Sequence, residues 1–136
     1  MKVVLDTNVF VSGVFFKGPP HQILKAWRAG SIVLVISSEI FAEYRRVAGI
    51  LSQKYAAINL NDILDFIERE VDFVEAASLP EQITNDPDDE KFLECAISCD
   101  VKIIISGDKH LLDVSGYQGI DVLTPRAFVD QYLNAD

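Results

Sequence analysis

Carboxylates recur where apolar, Val- and Ile-rich runs of this chain come to an end. Asp6 follows Lys2–Leu5 directly, and Asp108 follows Lys102–Ile105 after Ser106 and Gly107. Asp86, Asp88, Asp89 and Glu90 crowd the start of the helical stretch leading into that second run, and Glu39 and Glu43 lie four residues apart after Ser37 and Ser38. Each acid alone has an ordinary explanation. Asp86 can cap a helix, and Asp88 and Asp89 in a first turn gain about 0.3–1 kcal/mol each from the helix dipole. Glu43 can pair with Arg46 one turn on, and Asp6 and Asp108 are suitable turn residues. Capping, however, gives no reason for acids to gather at the same end of four separate connections, where they repel unless a cation sits among them. Carboxylates without Lys or Arg partners and without soft ligands suit a hard ion such as Mg²⁺ or Mn²⁺.

Alternating elements must position these acids. Lys2–Leu5, Ile32–Ile36, Asp72–Glu75, Lys102–Ile105 and Asp121–Leu123 have the composition of strands buried on both faces. Between them, Pro20–Ala29 ends at Gly30 and puts Ile23, Leu24 and Trp27 on one face, while Ile40, Tyr44 and Val47 recur at helical spacing. Leu51–Tyr55 continues that helical layer. Ile63, Phe66 and Ile67 after Asn61, Phe92, Cys95, Ala96 and Cys99 after Asp86-Pro87, and Phe128, Val129 and Tyr132 after Thr124-Pro125 mark further helices. The segment carrying Phe15, Phe16 and Lys17 is expected to be an apolar loop. Strand and helix in alternation predict right-handed crossovers and a central parallel sheet covered on both sides, a three-layer α/β/α fold. In such sheets ligands bind beyond the C-terminal strand ends, where the acids are. Gly107 is expected to allow a tight turn beside Asp108.

The 136 residues and 15.1 kDa suit a single domain over residues 1–136. With 49% hydrophobic and 24% charged residues, the chain can bury a sizeable core and lacks the bias of a disordered segment. No apolar run is long enough to span a bilayer, and Asp6 interrupts the opening run as no signal peptide would, so a cytoplasmic protein without membrane contact is expected. The net charge of −9 argues against nucleic-acid binding driven by overall charge, so any such contact must be local. Cys95 and Cys99 at i, i+4 predict a shared buried face, and His21 and His110 lack zinc-ligand spacing.

Four segments, Val3-Val4-Leu5-Asp6-Thr7-Asn8-Val9, the run from Ser37 to Glu43, Asp86-Pro87-Asp88-Asp89-Glu90-Lys91-Phe92-Leu93, and Ile105-Ser106-Gly107-Asp108-Lys109-His110-Leu111-Leu112, together resemble the PIN-domain family, over nearly the whole chain. They look closest to the VapC-type toxin ribonucleases of toxin–antitoxin systems. The resemblance implies a sheet of order 3-2-1-4-5 and metal-dependent cleavage of RNA. Asp6, Glu43, Asp89 and Asp108 match the acidic quartet of the family, serving as catalytic and metal-binding residues. It also implies pairing as a homodimer and occupation by an antitoxin peptide. Where many such toxins carry a further acid two residues after the equivalent of Asp108, this chain has His110. Asp89 is preferred to Asp88 because its spacing to Phe92, Leu93 and Ala96 turns it towards the strand ends.

An ion held by Asp6, Asp89 and Asp108, with Glu43 completing the shell directly or through water, would acidify a water and neutralise charge on phosphoryl oxygens. The hydroxyls of Thr7 and Ser106 can orient Asp6 and Asp108 or an incoming phosphate, or equally make only local turn bonds, and Asn8 is a further supporting residue. Lys17, Arg45, Arg46, Lys109 and His110 are candidates for holding RNA, and Phe15 and Phe16 for stacking on a base or packing against a partner. Two alternatives stand beside the ribonuclease. A phosphatase-type α/β domain requires an acid two residues after the first, where this chain has Asn8. A non-catalytic interaction module of the same fold would be marked by a missing acid, and none of the four is missing.

Overall fold

The computed structural model describes residues 1–55 and 57–134. β1 (Lys2–Leu5) runs through the centre of the molecule with Val3, Val4 and Leu5 buried. It pairs in parallel with β2 (Val33–Leu34) on one side and β3 (Ile103–Ile105) on the other, and β3 pairs in parallel with β4 (Asp121–Leu123). The order is β2-β1-β3-β4. The third expected strand, Asp72–Glu75, is reduced to one parallel bridge between Ser37 and Val74, just past β2. β2 itself is two residues long rather than the five of Ile32–Ile36. Val33 is half exposed, and the backbone of Val35 continues beside β1 through one bond to Val3 O, so this edge pairs only in part.

The connection after β1 departs most from expectation. Thr7–Phe15 is a helix, α1, rather than a turn and an apolar loop. Its residues are apolar nearly all round, as befits a helix packed between neighbours, so it lacks the polar face on which helical periodicity depends. Phe15 is its buried last residue, while Phe16 lies exposed with its ring edge-on to Tyr55 at 5.3 Å. α2 (Pro19–Arg28) packs closely on α1, where a Cβ at Gly13 would lie 2.7 Å from Pro20 O. Gly30, at φ +84, turns the chain out of α2 through a bond from its N–H to Trp27 O.

Helices cover both faces of the sheet. α3 (Ser38–Ser52) starts at Ser37, whose Oγ accepts from Ile40 N at 3.1 Å, a side-chain cap. Its Tyr44 ring stacks on Phe10 of α1 at 4.2 Å and 4° between planes. α4 (Leu60–Glu70) buries Ile63 and Ile67, and its Phe66 meets Trp27 edge-on at 5.2 Å, so this face is core rather than a docking surface. A single 3-10 turn, Pro87–Asp89, leads into α5 (Glu90–Ser98), which packs on β1, β3 and α3 through Phe92, Leu93, Cys95 and Ala96. After β3 come the one-turn α6 (Lys109–Leu112), β4, and α7 (Pro125–Phe128), which continues as a wider turn over Val129–Leu133. No helix among the described residues is long and apolar enough to cross a membrane.

Candidate active site

The C-terminal ends of β1 and β3 are tied together by the bond from Asp6 N to Ile105 O at 3.0 Å. Asp6 sits at the N-cap position of α1, and its carbonyl accepts from Val9 N and Phe10 N. Its carboxylate makes no capping bond. Instead Oδ2 accepts from the hydroxyl of Ser106 at 2.6 Å, in a buried environment. Burial is the largest effect on the Asp6 carboxyl and raises its pKa; the Ser106 bond opposes it, and the charges of Asp108 and Glu43 add to the rise.

Asp89 arrives on the opposite connection. It is 7% exposed, its Oδ2 is buried without any hydrogen-bond partner, and it makes no capping bond to α5. Burial first, then the charges of Asp108, Asp6 and Asp86, push its pKa up to about 6. Asp88, next to it, is exposed, and Asp86 spends its carboxylate on Asp88 N at 3.0 Å. Asp108 is half-buried at the N-cap of α6 and accepts from His110 N at 2.7 Å. Of the three acids, therefore, only Asp108 serves as a cap. Gly107 beside it has no positive φ and open space at its Cβ, so the turn does not require glycine. The turn is held instead by the Ser106 hydroxyl, which accepts from Asp108 N at 2.9 Å while donating to Asp6. One serine thus orients two of the acids, as a supporting hydroxyl beside a metal site does.

Glu43 is differently engaged. Its Oε2 accepts from the Thr7 hydroxyl, so Thr7 braces Glu43 rather than Asp6 or Asp108. Its Oε1 accepts from Lys91 Nζ at 3.2 Å, and Arg46 stands 3.9 Å away on the solvent side. The expectation of acids without basic partners is therefore corrected at Glu43. Lys91 is 9% exposed and also donates to Asp88 O at 2.5 Å. Its helical spacing to buried Cys95 was the available sign that position 91 faces inward. Asn8 is exposed at the start of α1. Two more residues shape the site, though the sequence assigned them no role there. Tyr44 donates its buried hydroxyl to Leu5 O at 2.5 Å, one residue before Asp6. Glu90 accepts from Ile83 N and Thr84 N at 2.9 and 2.6 Å, anchoring the loop before Asp86.

The family model for the PIN domain matches residues 2–110, which hold all four of these acids. The chain belongs to the PIN-domain family. This PIN domain has the parallel, helix-covered sheet expected of it, and the family is one of nuclease-type folds that typically use divalent metals. No curated relative and no solved structure matches the chain.

The donor set of this PIN domain fits a hard divalent ion. Asp6, Asp89 and Asp108 offer only oxygen, their charges raise the pKa values of Asp6 and Asp89, and Asp89 Oδ2 is a buried acceptor with nothing to accept. The side chains are not gathered in advance: among the described residues no three His, Cys, Asp or Glu side chains stand in a metal-holding arrangement. Like charges in one cleft turn towards local donors, as Asp108 does towards His110 N and Asp6 towards Ser106.

Proposed function

We propose that this PIN domain is a metal-dependent endoribonuclease, the VapC-type toxin of a toxin–antitoxin pair, working in the cytoplasm. The observation that supports the reading is that Asp6 and Asp108, from two other connections, lie near enough to Asp89 for their charges to raise its pKa, while its buried Oδ2 has no hydrogen-bond partner. Mg²⁺ or Mn²⁺ bound there would acidify a water and neutralise charge growing on the phosphoryl oxygens. Asp6 is oriented for this by Ser106, and Asp89 is held inward by the 3-10 turn at its back. Asp108 accepts from His110 N through Oδ1, which leaves Oδ2 for an ion.

RNA must be held locally against a net charge of −9. Arg46, beside Glu43, and Lys109 and His110, beside Asp108, are exposed next to the acids and can take phosphates. Lys17 is exposed beyond α1. Arg45 is less available, being paired with Glu68 and stacked on Phe41 at 4.8 Å. Exposed Phe16, edge-on to Tyr55, is the ring proposed to stack on a base or to meet a second copy of the chain in a homodimer or an antitoxin segment.

One observation favours a second reading, a non-catalytic interaction module: the acids do not stand ready around an ion. Cleavage of a panel of single-stranded and structured RNAs decides between them. Activity that requires Mn²⁺ or Mg²⁺, stops with EDTA and is lost in Asp6→Asn supports the nuclease. Equal cleavage by wild type and Asp6→Asn marks a contaminating nuclease, and no cleavage by either favours the interaction module. Slowed growth on expression in a bacterium, relieved by Asp89→Ala, tests the toxin role.

A further inference from the structure

The ammonium of Lys91 is the only lysine nitrogen paired with one of the four acids among the described residues, and it comes from inside the protein. Its side chain is 10% exposed and that of Glu43 20%, so both charges are largely withdrawn from water. A buried ammonium persists as a charge only with close anionic or carbonyl acceptors. Lys91 has both: Glu43 Oε1 at 3.2 Å and Asp88 O at 2.5 Å. Glu43 is equally committed, with Thr7 on Oε2 and Lys91 on Oε1, so neither oxygen is left without a donor. Asp89, by contrast, has an oxygen with no donor at all. The four acids therefore divide into one that is already neutralised and three that are not.

We infer that Lys91 is a positioning residue that neutralises Glu43 from inside the protein, where Arg46 lies on the solvent side, and braces it against the Asp86–Asp89 turn so that the site takes up a single divalent ion on Asp6, Asp89 and Asp108. The inference rests on the nuclease reading for the identity of the site, and deepens it by assigning Glu43 to Lys91 rather than to the ion. Through Asp88 O, the same ammonium fixes the turn that delivers Asp89, so the brace and the ligand are set by one side chain. Removing the ammonium would free Oε1 of Glu43 towards the cleft, with Thr7 still on Oε2 and Arg46 3.9 Å away on the solvent side, and a second hard cation on that oxygen would replace the lost charge.

Counting Mn²⁺ bound to the metal-free full-length protein, from the loss of the free-ion paramagnetic resonance signal, tests this without substrate. One ion per chain is expected for wild type, two for Lys91→Met, and one again for Lys91→Arg, which restores the charge. Glu43→Gln should still bind one ion, with an affinity within roughly tenfold of wild type, the lower range for a group behind the ligands; this arm serves even where Lys91→Met does not fold. Two ions in wild type, an unchanged count in folded Lys91→Met, two in Lys91→Arg, or abolished binding in Glu43→Gln would each overturn the assignment while leaving a metal-dependent nuclease standing. No bound ion in wild type would overturn both.

Discussion

Ser106 donates its hydroxyl to Asp6 Oδ2 at 2.6 Å, across 100 residues of sequence, and accepts from Asp108 N with the same oxygen at 2.9 Å. The pair welds the ends of β1 and β3 and fixes two acids at once. Ser106→Ala removes the bond that lowers the Asp6 pKa and leaves Asp108 N without its acceptor. We expect a loss of about 1–3 kcal/mol in urea unfolding, as for a buried polar group left unpaired. The Mn²⁺-induced rise in melting temperature should shrink in step with a roughly 10- to 100-fold weaker affinity. An unchanged Mn²⁺ shift would mean that Ser106 serves the fold alone.

Asp89 makes metal-free stability depend on pH in an unusual direction. Its pKa in the folded chain is raised from 3.8 to about 6, so between those values the folded state binds more protons than the unfolded one. Stability contributed by this group therefore rises as pH falls through that window, and its full penalty is felt above it. Asp89→Asn should melt higher than wild type in EDTA at about pH 7.5, with the difference closing at about pH 4 as the wild-type carboxyl takes up its proton. A variant that melts lower at neutral pH would show the charged carboxylate to be stabilising there.

Tyr44 links the core to the site, with its ring stacked on Phe10 and its hydroxyl on Leu5 O. Tyr44→Phe keeps the stack and deletes the bond. The expected cost is about 1–2 kcal/mol of chemical-denaturation stability, the usual range for a buried hydrogen bond and its abandoned acceptor. Cleavage should fall with it, because Asp6 follows Leu5 directly. Full stability in the variant would show that this hydroxyl contributes nothing to the fold.

Gly13 is where α1 and α2 come closest. An added Cβ would meet Pro20 O at 2.7 Å and Leu24 Cδ1 at 2.8 Å, and the first of these is backbone. Gly13→Ala should cost about 1–3 kcal/mol, the range for overpacking, despite the better helix propensity of alanine. Gly107→Ala, with open space and an ordinary φ, should be nearly neutral in the same unfolding measurement.

The sequence was enough for the alternation of strand and helix, for the helix starts at Ser37, Asp86 and Thr124, and for the placement of acids beyond the strands, because these depend on local composition and spacing. PIN-domain membership was legible for the same reason, in four short segments in order. α1 was hidden, because a helix buried on nearly all sides has no polar stripe to set its period. The edge of the sheet was overestimated, because a Val- and Ile-rich run states a preference for strand but not how many residues find a partner. Tertiary structure alone decided how the acids are used. Asp6 could have capped α1, yet it turns to a serine 100 residues away. Asp108 spends one carboxylate oxygen on the cap of α6 while its charge still reaches Asp89. The sequence names no partner for Lys91. Folding put it beside a glutamate 48 residues earlier, because a buried charge is tolerable only where the chain brings it a counter-charge, and that meeting is a property of the whole fold.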